Sequence, residues 1–245
     1  MRKIYTLFLC AILCASITGV NAQNNFFRKA DPATLSKSKG VRAIIPSKYE
    51  AVSVDIFAMR NFLWSLPEEK SSNARFHVWE SSIQAPGLAA KFPEIKTFAG
   101  QGIDDPAATI RFDYSPYFGF RAQILSPNGR IYIDPYAKGE TDNVITYYQR
   151  DNLRGRSFKC GTEDIPVPEN TANRVMAGPC RGTELKTYRL AIACTAEYAA
   201  AVGGGLAGPT HAAIVTSANR VNGVYETELA VRMVLIANND QIEFL

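Results

Sequence analysis

Residues 109–133 read TIRFDYSPYFGFRAQILSPNGRIYI, and this stretch decides the fold class. Ile110, Phe112 and Tyr114 alternate with Thr109, Arg111 and Asp113. Phe120, Ala122 and Ile124 alternate with Arg121 and Gln123, and Ile131 and Ile133 flank Tyr132. A period of two places successive side chains on opposite faces of a strand. Asn128-Gly129 separates two such runs, and both residues tolerate the positive φ of a type I′ turn, which predicts a tight hairpin.

The sheet extends outward from there. Val144 to Gln149 (VITYYQ) adds a strand, and Ala74 to Glu80 (ARFHVWE) adds another upstream. Val41 to Ile45 reads as the first strand, after a polar leader. In DIFAMRNFLWS (55–65), Ile56, Met59, Phe62 and Leu63 recur at helical spacing, and Pro67 ends that helix. Residues 41–151 therefore read as an antiparallel sheet carrying at least one helix. The aromatic residues at 112–120 and 147–148 fit sheet core, although such a set could also form a carbohydrate platform.

Character changes after residue 151. Residues 152–186 mix Arg154, Arg156, Lys159, Arg174 and Arg181 with Gly155, Gly161, Pro166, Pro168, Gly178, Pro179 and Gly182, without periodicity. This is an accessible connector open to basic-specific proteolysis, with the cut expected near Arg174, Arg181 or Lys186 and a new N-terminus between Gly182 and Tyr188. Tyr188 to Thr195 then forms an apolar strand. A helix begins at 197–201 and breaks at Gly203-Gly204-Gly205; that run lacks both the P-loop Lys-Ser/Thr and the dinucleotide glycine spacing. Pro209 suits the first turn of a second helix, along which Ile214, Ala218, Val221, Tyr225 and Leu229 form an apolar stripe. Val231 to Ala237 is a second apolar strand. Strand, helix, strand with apolar strands implies a right-handed parallel βαβ unit. Two parallel strands cannot bury both faces of a sheet, so residues 187–245 are expected to be the opening of a larger domain.

The N-terminus carries a targeting signal. Residues 1–22 (MRKIYTLFLCAILCASITGVNA) have a basic start at Arg2 and Lys3, an apolar stretch from Ile4 to Ala15, and Val20 and Ala22 at the −3 and −1 positions. Cleavage is expected after Ala22, which implies secretion, to the medium or the cell surface. The apolar stretch is shorter than the ~20 residues of a spanning helix, and no later segment is long and apolar enough, so no membrane association is expected. Of the 245 residues, 47% are hydrophobic and 20% charged, which excludes a wholly disordered chain and a multispanning membrane protein. The net charge of +4 includes Arg2 and Lys3, so no nucleic-acid partner is expected.

Few residues carry chemistry. Removal of 1–22 takes Cys10 and Cys14 and leaves Cys160, Cys180 and Cys194, an odd number, so at least one thiol stays free or pairs outside the chain. Cys194 suits core packing in its strand, and Cys180 lies in the connector. The two histidines, His77 and His211, are far apart in sequence and both read as surface residues. Glu226 and Glu228 lie two apart, on different helix faces, and read as solvated charges. Asn238-Asn239-Asp240 could supply oxygen ligands to a calcium ion, or simply form a strand-end turn.

Three blocks suggest a family. LKTYRLAIACTAEYAAAVGG (185–204) and AAIVTSANRVNGVYETELAVRMVLIANNDQI (212–242) resemble the start of the catalytic domain of secreted bacterial reprolysin-like (M12B-type, metzincin) zinc metallopeptidases. PGLAAKFPEIKTFAGQGIDDPAATIRFDYSPYFGFRAQILSPNGRIYIDPY (86–136) resembles their propeptide. The resemblance is most specific in Arg220 to Glu226 (RVNGVYE) and in Val234 to Asp240. It implies an α+β prosegment with an antiparallel sheet, followed by the first βαβ unit of a metzincin-type α/β catalytic domain. The organisation is then a signal peptide (1–22), a propeptide (23–151) packed on its own catalytic domain, a connector (152–186) and the incomplete enzyme (187–245). Substrates would be proteins or peptides and the cofactor zinc.

One departure limits the reading. A metzincin holds zinc through H-E-x-x-H-x-x-G-x-x-H, and this sequence contains no such motif. No catalytic residue is assigned; the zinc site is expected downstream of Leu245 and the chain alone is expected to be inactive. The resemblance implies one metal ligand here: Cys160, in Lys159-Cys160-Gly161, whose thiolate would occupy the open zinc position in the zymogen. A disulfide to Cys180 or Cys194 is the alternative for that residue. The competing reading of the whole chain is a secreted β-rich binding or adhesion module without enzymatic activity.

Overall fold

A computed structural model describes residues 26–35, 38, 40–42, 44–59, 71–72, 76–103, 105–152 and 184–245. The signal segment, the connector with Cys160 and Cys180, and the second half of the helix expected over 55–65 lie outside the described residues.

Nine strands form one antiparallel sheet: β1 (Phe27–Lys29), β2 (Glu50–Val54), β3 (Ser71–Ser72), β4 (Phe76–Glu80), β5 (Lys96–Gly102), β6 (Thr109–Ser115), β7 (Gly119–Ser126), β8 (Gly129–Pro135) and β9 (Asn143–Tyr148). Their order is β1-β2-β9-β8-β7-β6-β5-β4-β3. The α+β class with an antiparallel sheet agrees with the expectation. The first strand does not: residues 41, 42, 44 and 45 form no strand, and β2, at Glu50–Val54, pairs with β9 instead. Strands β1 and β5 carry no strict alternation and were not expected. Helical residues 56–59 begin at Asp55, whose Oδ1 accepts from the Ala58 N–H at 2.9 Å, an N-cap.

The β7–β8 hairpin closes differently from a type I′ turn. Ser126 pairs with Gly129, so the two loop residues are Pro127 and Asn128. Proline's ring locks φ near −65° and forbids the positive φ that type I′ needs at that position. Gly129 alone takes positive φ, 121°.

One face of the sheet is apolar. Phe98, Ile110, Phe112, Tyr114, Phe120, Ala122 and Val144 share a core with Val54, Met59 and Val78. Phe98 stacks on Phe112 with ring centroids 4.8 Å apart. Phe27 of the edge strand β1 meets Phe120 of the central β7 at 5.5 Å, so the sheet curls and its edge helps cover its own apolar face. The aromatic residues Phe112 and Phe120 are thus core, as expected, while Tyr147 is buried on the other face.

The C-terminal unit begins with β10 (Lys186–Leu190), which pairs in parallel with β11 (Val231–Leu235). Short helical turns precede it in the chain, among them α1 (Pro32–Leu35) and α2 (Pro86–Ala89); the crossover carries α3 (Ala196–Gly203) and α4 (Ala207–Leu229). The strand–helix–strand order and parallel pairing agree with the sequence. Both strands are shorter than expected, and β10 starts at Lys186, whose N–H donates to Ala230 O at 2.8 Å. A cut after Lys186 would remove the first rung of the parallel ladder. Gly204 (φ 65°) caps α3 in the left-handed conformation, and Pro209 lies in the first turn of α4.

The α4 stripe is corrected. Ile214 and Ala218 are buried, but Val221, Tyr225 and Leu229 are 43%, 38% and 53% exposed. The helix instead buries Thr216, Asn219, Asn222 and Gly223, because it lies across a polar sheet face. Among the described residues no helix is long and apolar enough to cross a membrane.

Candidate functional site

The second face of the sheet presents the alternate positions Arg111, Asp113, Gln123, Asp134 and Tyr147, and every one of them is buried. Burying such groups without partners would cost several kcal/mol each; α4 supplies most of the partners, Tyr147 and Asp134 serve each other, and Gln123 Oε1 is left without one. Arg111 forms a two-oxygen ion pair with Glu226 through Nη2. Its Nη1 donates to Ser81 Oγ at 3.2 Å and reaches Asn219 Oδ1 at 3.5 Å. Asn219 Nδ2 donates to Phe112 O at 3.0 Å, filling a carbonyl of β6. Thr216 Oγ1 donates to Asp113 Oδ2 at 2.7 Å. Arg220 Nη2 meets Asp134 Oδ1 at 2.6 Å, and Tyr147 Oη donates to Asp134 Oδ2 at 2.8 Å.

The RVNGVYE segment is the centre of this junction. Arg220 and Glu226 make the two ion pairs, and Asn222 turns the other way. Its side chain holds Met233 by both backbone groups, at 2.8 Å and 2.7 Å, and so ties α4 to β11. Glu226 is therefore not a solvated charge, while Glu228 is exposed as expected. Burial, with Asp134 beside it, pushes the Tyr147 phenol up out of the range where it ionises.

Burial also raises the pKa of Asp113 above its ordinary carboxylate value; Thr216, Arg121 and Arg220 oppose this only in part. A carboxyl with a raised folded-state pKa binds more protons folded than unfolded, so its contribution to stability falls as pH rises from the unfolded-state pKa. Asp113→Asn keeps an acceptor for Thr216 and removes the charge. Its stability relative to the parent should therefore improve as pH increases from about 4, measured by urea unfolding across pH 3.5 to 7. A difference that is flat with pH would contradict this.

A second cluster lies where residues 81–95 meet the C-terminal unit. Leu235 N–H donates to Ile83 O at 2.8 Å and Ala85 N–H to Leu235 O at 2.9 Å, so residues 83–85 extend the parallel pair along the free edge of β11. Beneath them stands His211, which is corrected from surface to core at 0% exposure. Its Nδ1 is 2.7 Å from Glu243 Oε1, its Nε2 is 2.8 Å from Gln84 Oε1, and its ring stacks on Phe92 at 4.2 Å. His77 is half-buried on β4, opposite Gln101.

The described residues do not fit zinc. No group of three or more His, Cys, Asp or Glu side chains among them could hold a metal ion. Both nitrogens of His211 are committed to oxygens, and no step through a metal is derived from this chain. Asn238-Asn239-Asp240 is a strand-end turn in which Asn239 bonds both backbone groups of Ile192 and Lys91 pairs with Asp240 at 2.7 Å. Cys194 is a free, buried thiol in the core that the C-terminal unit shares with residues 83–95, and burial raises its pKa. Cys160, the expected metal ligand, lies outside the described residues.

Sequence reasoning missed Arg111, Asp113, Gln84, Phe92 and Glu243. A signal existed for the first two: charged residues stand mid-strand in β6, and Thr216, Asn219, Gly223 and Glu226 recur at helical spacing as a polar stripe on α4. Nothing in sequence links Gln84 to His211. No family model and no curated protein matches the chain.

Proposed function

We propose that this chain is the N-terminal part of a secreted zinc metalloendopeptidase precursor, in which the sheet unit is the prosegment and residues from Lys186 onward open the catalytic domain. The observation that carries the reading is the junction itself. A curled sheet with its own apolar core docks on a strand–helix–strand unit through ion pairs and hydrogen bonds under α4, and through a second apolar core that Ile83, Leu88 and Ile95 share with Ile214, Val215 and Leu235. The polar part of that junction is of the kind found between units of one chain rather than inside a single core. The segment most specific in the resemblance, Arg220 to Glu226, supplies the partners.

On this reading the connector is cut upstream of Lys186, and Cys160 stays on the prosegment side of the cut. Its hold on the metal then loses its covalent tether and lasts only while the cut prosegment stays docked. The test uses the full-length secreted precursor: N-terminal sequencing of the active enzyme, and azocasein hydrolysis with and without a zinc chelator. Activity should be lost with chelator and restored by zinc, the mature start should fall between Arg174 and Lys186, and Cys160→Ala should be active before cleavage. A chain of residues 23–245 alone should show no zinc-dependent turnover. A reading frame that continues past Leu245 without H-E-x-x-H would sink the proposal, and a mature start upstream of Cys160 would sink the latency role.

A further inference from the structure

The hydrogen-bond pattern around His211 determines where its protons are, because each neighbour's orientation is set from outside the cluster. Asn239 Oδ1 accepts from the backbone N–H of Ile192 at 2.8 Å, a bond that only the oxygen end of the amide can accept. Asn239 Nδ2 therefore faces Glu243 Oε1, and donates to it at 2.8 Å. On the other side, Gln84 directs Nε2 to the carbonyl of Ile95 at 3.2 Å, a bond that only the nitrogen end can donate. Gln84 Oε1 is thus the end that faces His211. Each ring nitrogen of His211 meets an oxygen acceptor whose orientation is already decided. Beside an ionised Glu243, a neutral imidazole has one N–H and would leave a lone pair against one of those oxygens. Flipping Gln84 to avoid this would place its oxygen against Ile95 O and lose that bond.

The cluster joins two parts of the chain. Gln84 and Phe92 belong to the stretch that runs from β4 to β5, whereas His211, Asn239 and Glu243 belong to the C-terminal unit. A buried charge is tolerated where it is paired and its remaining hydrogen bonds are made, and here an aromatic face adds to the pairing. We infer that His211 is a doubly protonated imidazolium, held between Glu243 and Gln84, and that it pins the sheet unit to the C-terminal unit so that the two stay associated after the connector between them is cut. The parallel bridge of residues 83–85 on β11, Arg232 Nη2 donating to Ser82 O at 2.7 Å, and the Arg111–Glu226 pair act along the same seam. Removing the donors of His211 strands a carboxylate and an amide oxygen in a dry site, which is costlier than losing any exposed contact.

The inference does not need the peptidase reading, since the cut can be engineered. Residues 23–245 are labelled with ¹⁵N-histidine, and the ring nitrogens are observed by long-range ¹H–¹⁵N correlation at pH 7. With only His77 and His211 in the chain, assignment needs one His77→Gln variant. Both nitrogens of His211 should resonate as protonated; one protonated and one bare nitrogen would overturn the inference. In parallel, a specific protease site is placed between residues 153 and 183, the chain is cut, and the fragments are run on gel filtration over a dilution series. They should co-elute. His211→Phe, which keeps the stack on Phe92, should dissociate at about tenfold or more higher concentration than the parent. Gln84→Met, which removes the acceptor on the sheet side together with the Nε2 bond to Ile95 O, provides the same reading if His211→Phe does not fold. Parent fragments that separate while each remains folded, or variants that hold as tightly as the parent, would overturn the pin.

Discussion

Arg111→Met should lower the stability of the chain by about 3 kcal/mol, the lower end of what breaking a buried ion pair costs. The guanidinium is 5% exposed and its partner carboxylate 21%, so water can reach Glu226 but not replace what Arg111 also does for Ser81 and Asn219. Methionine fills much of the arginine stem's volume, which isolates the electrostatic loss from a cavity effect. Combining it with Glu226→Gln should recover part of the loss, because the stranded charge is then gone. Urea unfolding of the two single variants and the double variant gives the coupling directly. Additivity, with no recovery in the double variant, would show that Glu226 is solvated and that the pair does not hold the junction.

Phe98→Ala should cost about 3 to 5 kcal/mol. Phe98 is completely buried, stacks on Phe112 and sits under the curl that brings β1 over β7. The sheet cannot collapse into the space, since β5 is held on both sides by β4 and β6. Thermal unfolding followed by near-UV circular dichroism reads both the loss and the loosening of the aromatic core. Phe98→Leu should recover more than half of the difference. A loss under about 1 kcal/mol would mean that this face is not the core of the sheet unit.

The two variants probe opposite faces of the same sheet, and the two faces differ in how readable they were. Ile110, Phe112, Tyr114, Phe120 and Ala122 announce their face through period-two alternation, because an apolar side chain has only one favourable place to go. The polar face is different. Arg111, Asp113 and Gln123 alternate just as regularly, yet alternation says only that they share a face and not whether solvent or a helix covers it. Their burial depends on α4 arriving with Thr216, Asn219 and Glu226 in register. The apolar stripe at Val221, Tyr225 and Leu229 misled for the matching reason. Helical spacing identifies a stripe, but the polar stripe is the one with a complementary surface to meet. Pro127 shows the same limit locally: the Asn-Gly pair suggested one turn type, and a neighbouring ring that fixes φ imposed another.

Sequence alone determined the antiparallel strands from Thr109 to Tyr148, the break at the glycine run before α4, and the parallel strand–helix–strand order after the connector. Each rests on local chemistry, in side-chain period, backbone φ preference and the apolar character of short strands. Tertiary structure decided the rest. It buried His211 between Gln84 and Glu243, residues separated by well over a hundred positions, and it made a charged sheet face into the junction with α4. An arginine or an aspartate is ordinarily exposed and a histidine intermediate, so burial of any of them is an exception. The place of each is set by whether distant partners satisfy its hydrogen bonds and charge, and only the assembled chain supplies those partners.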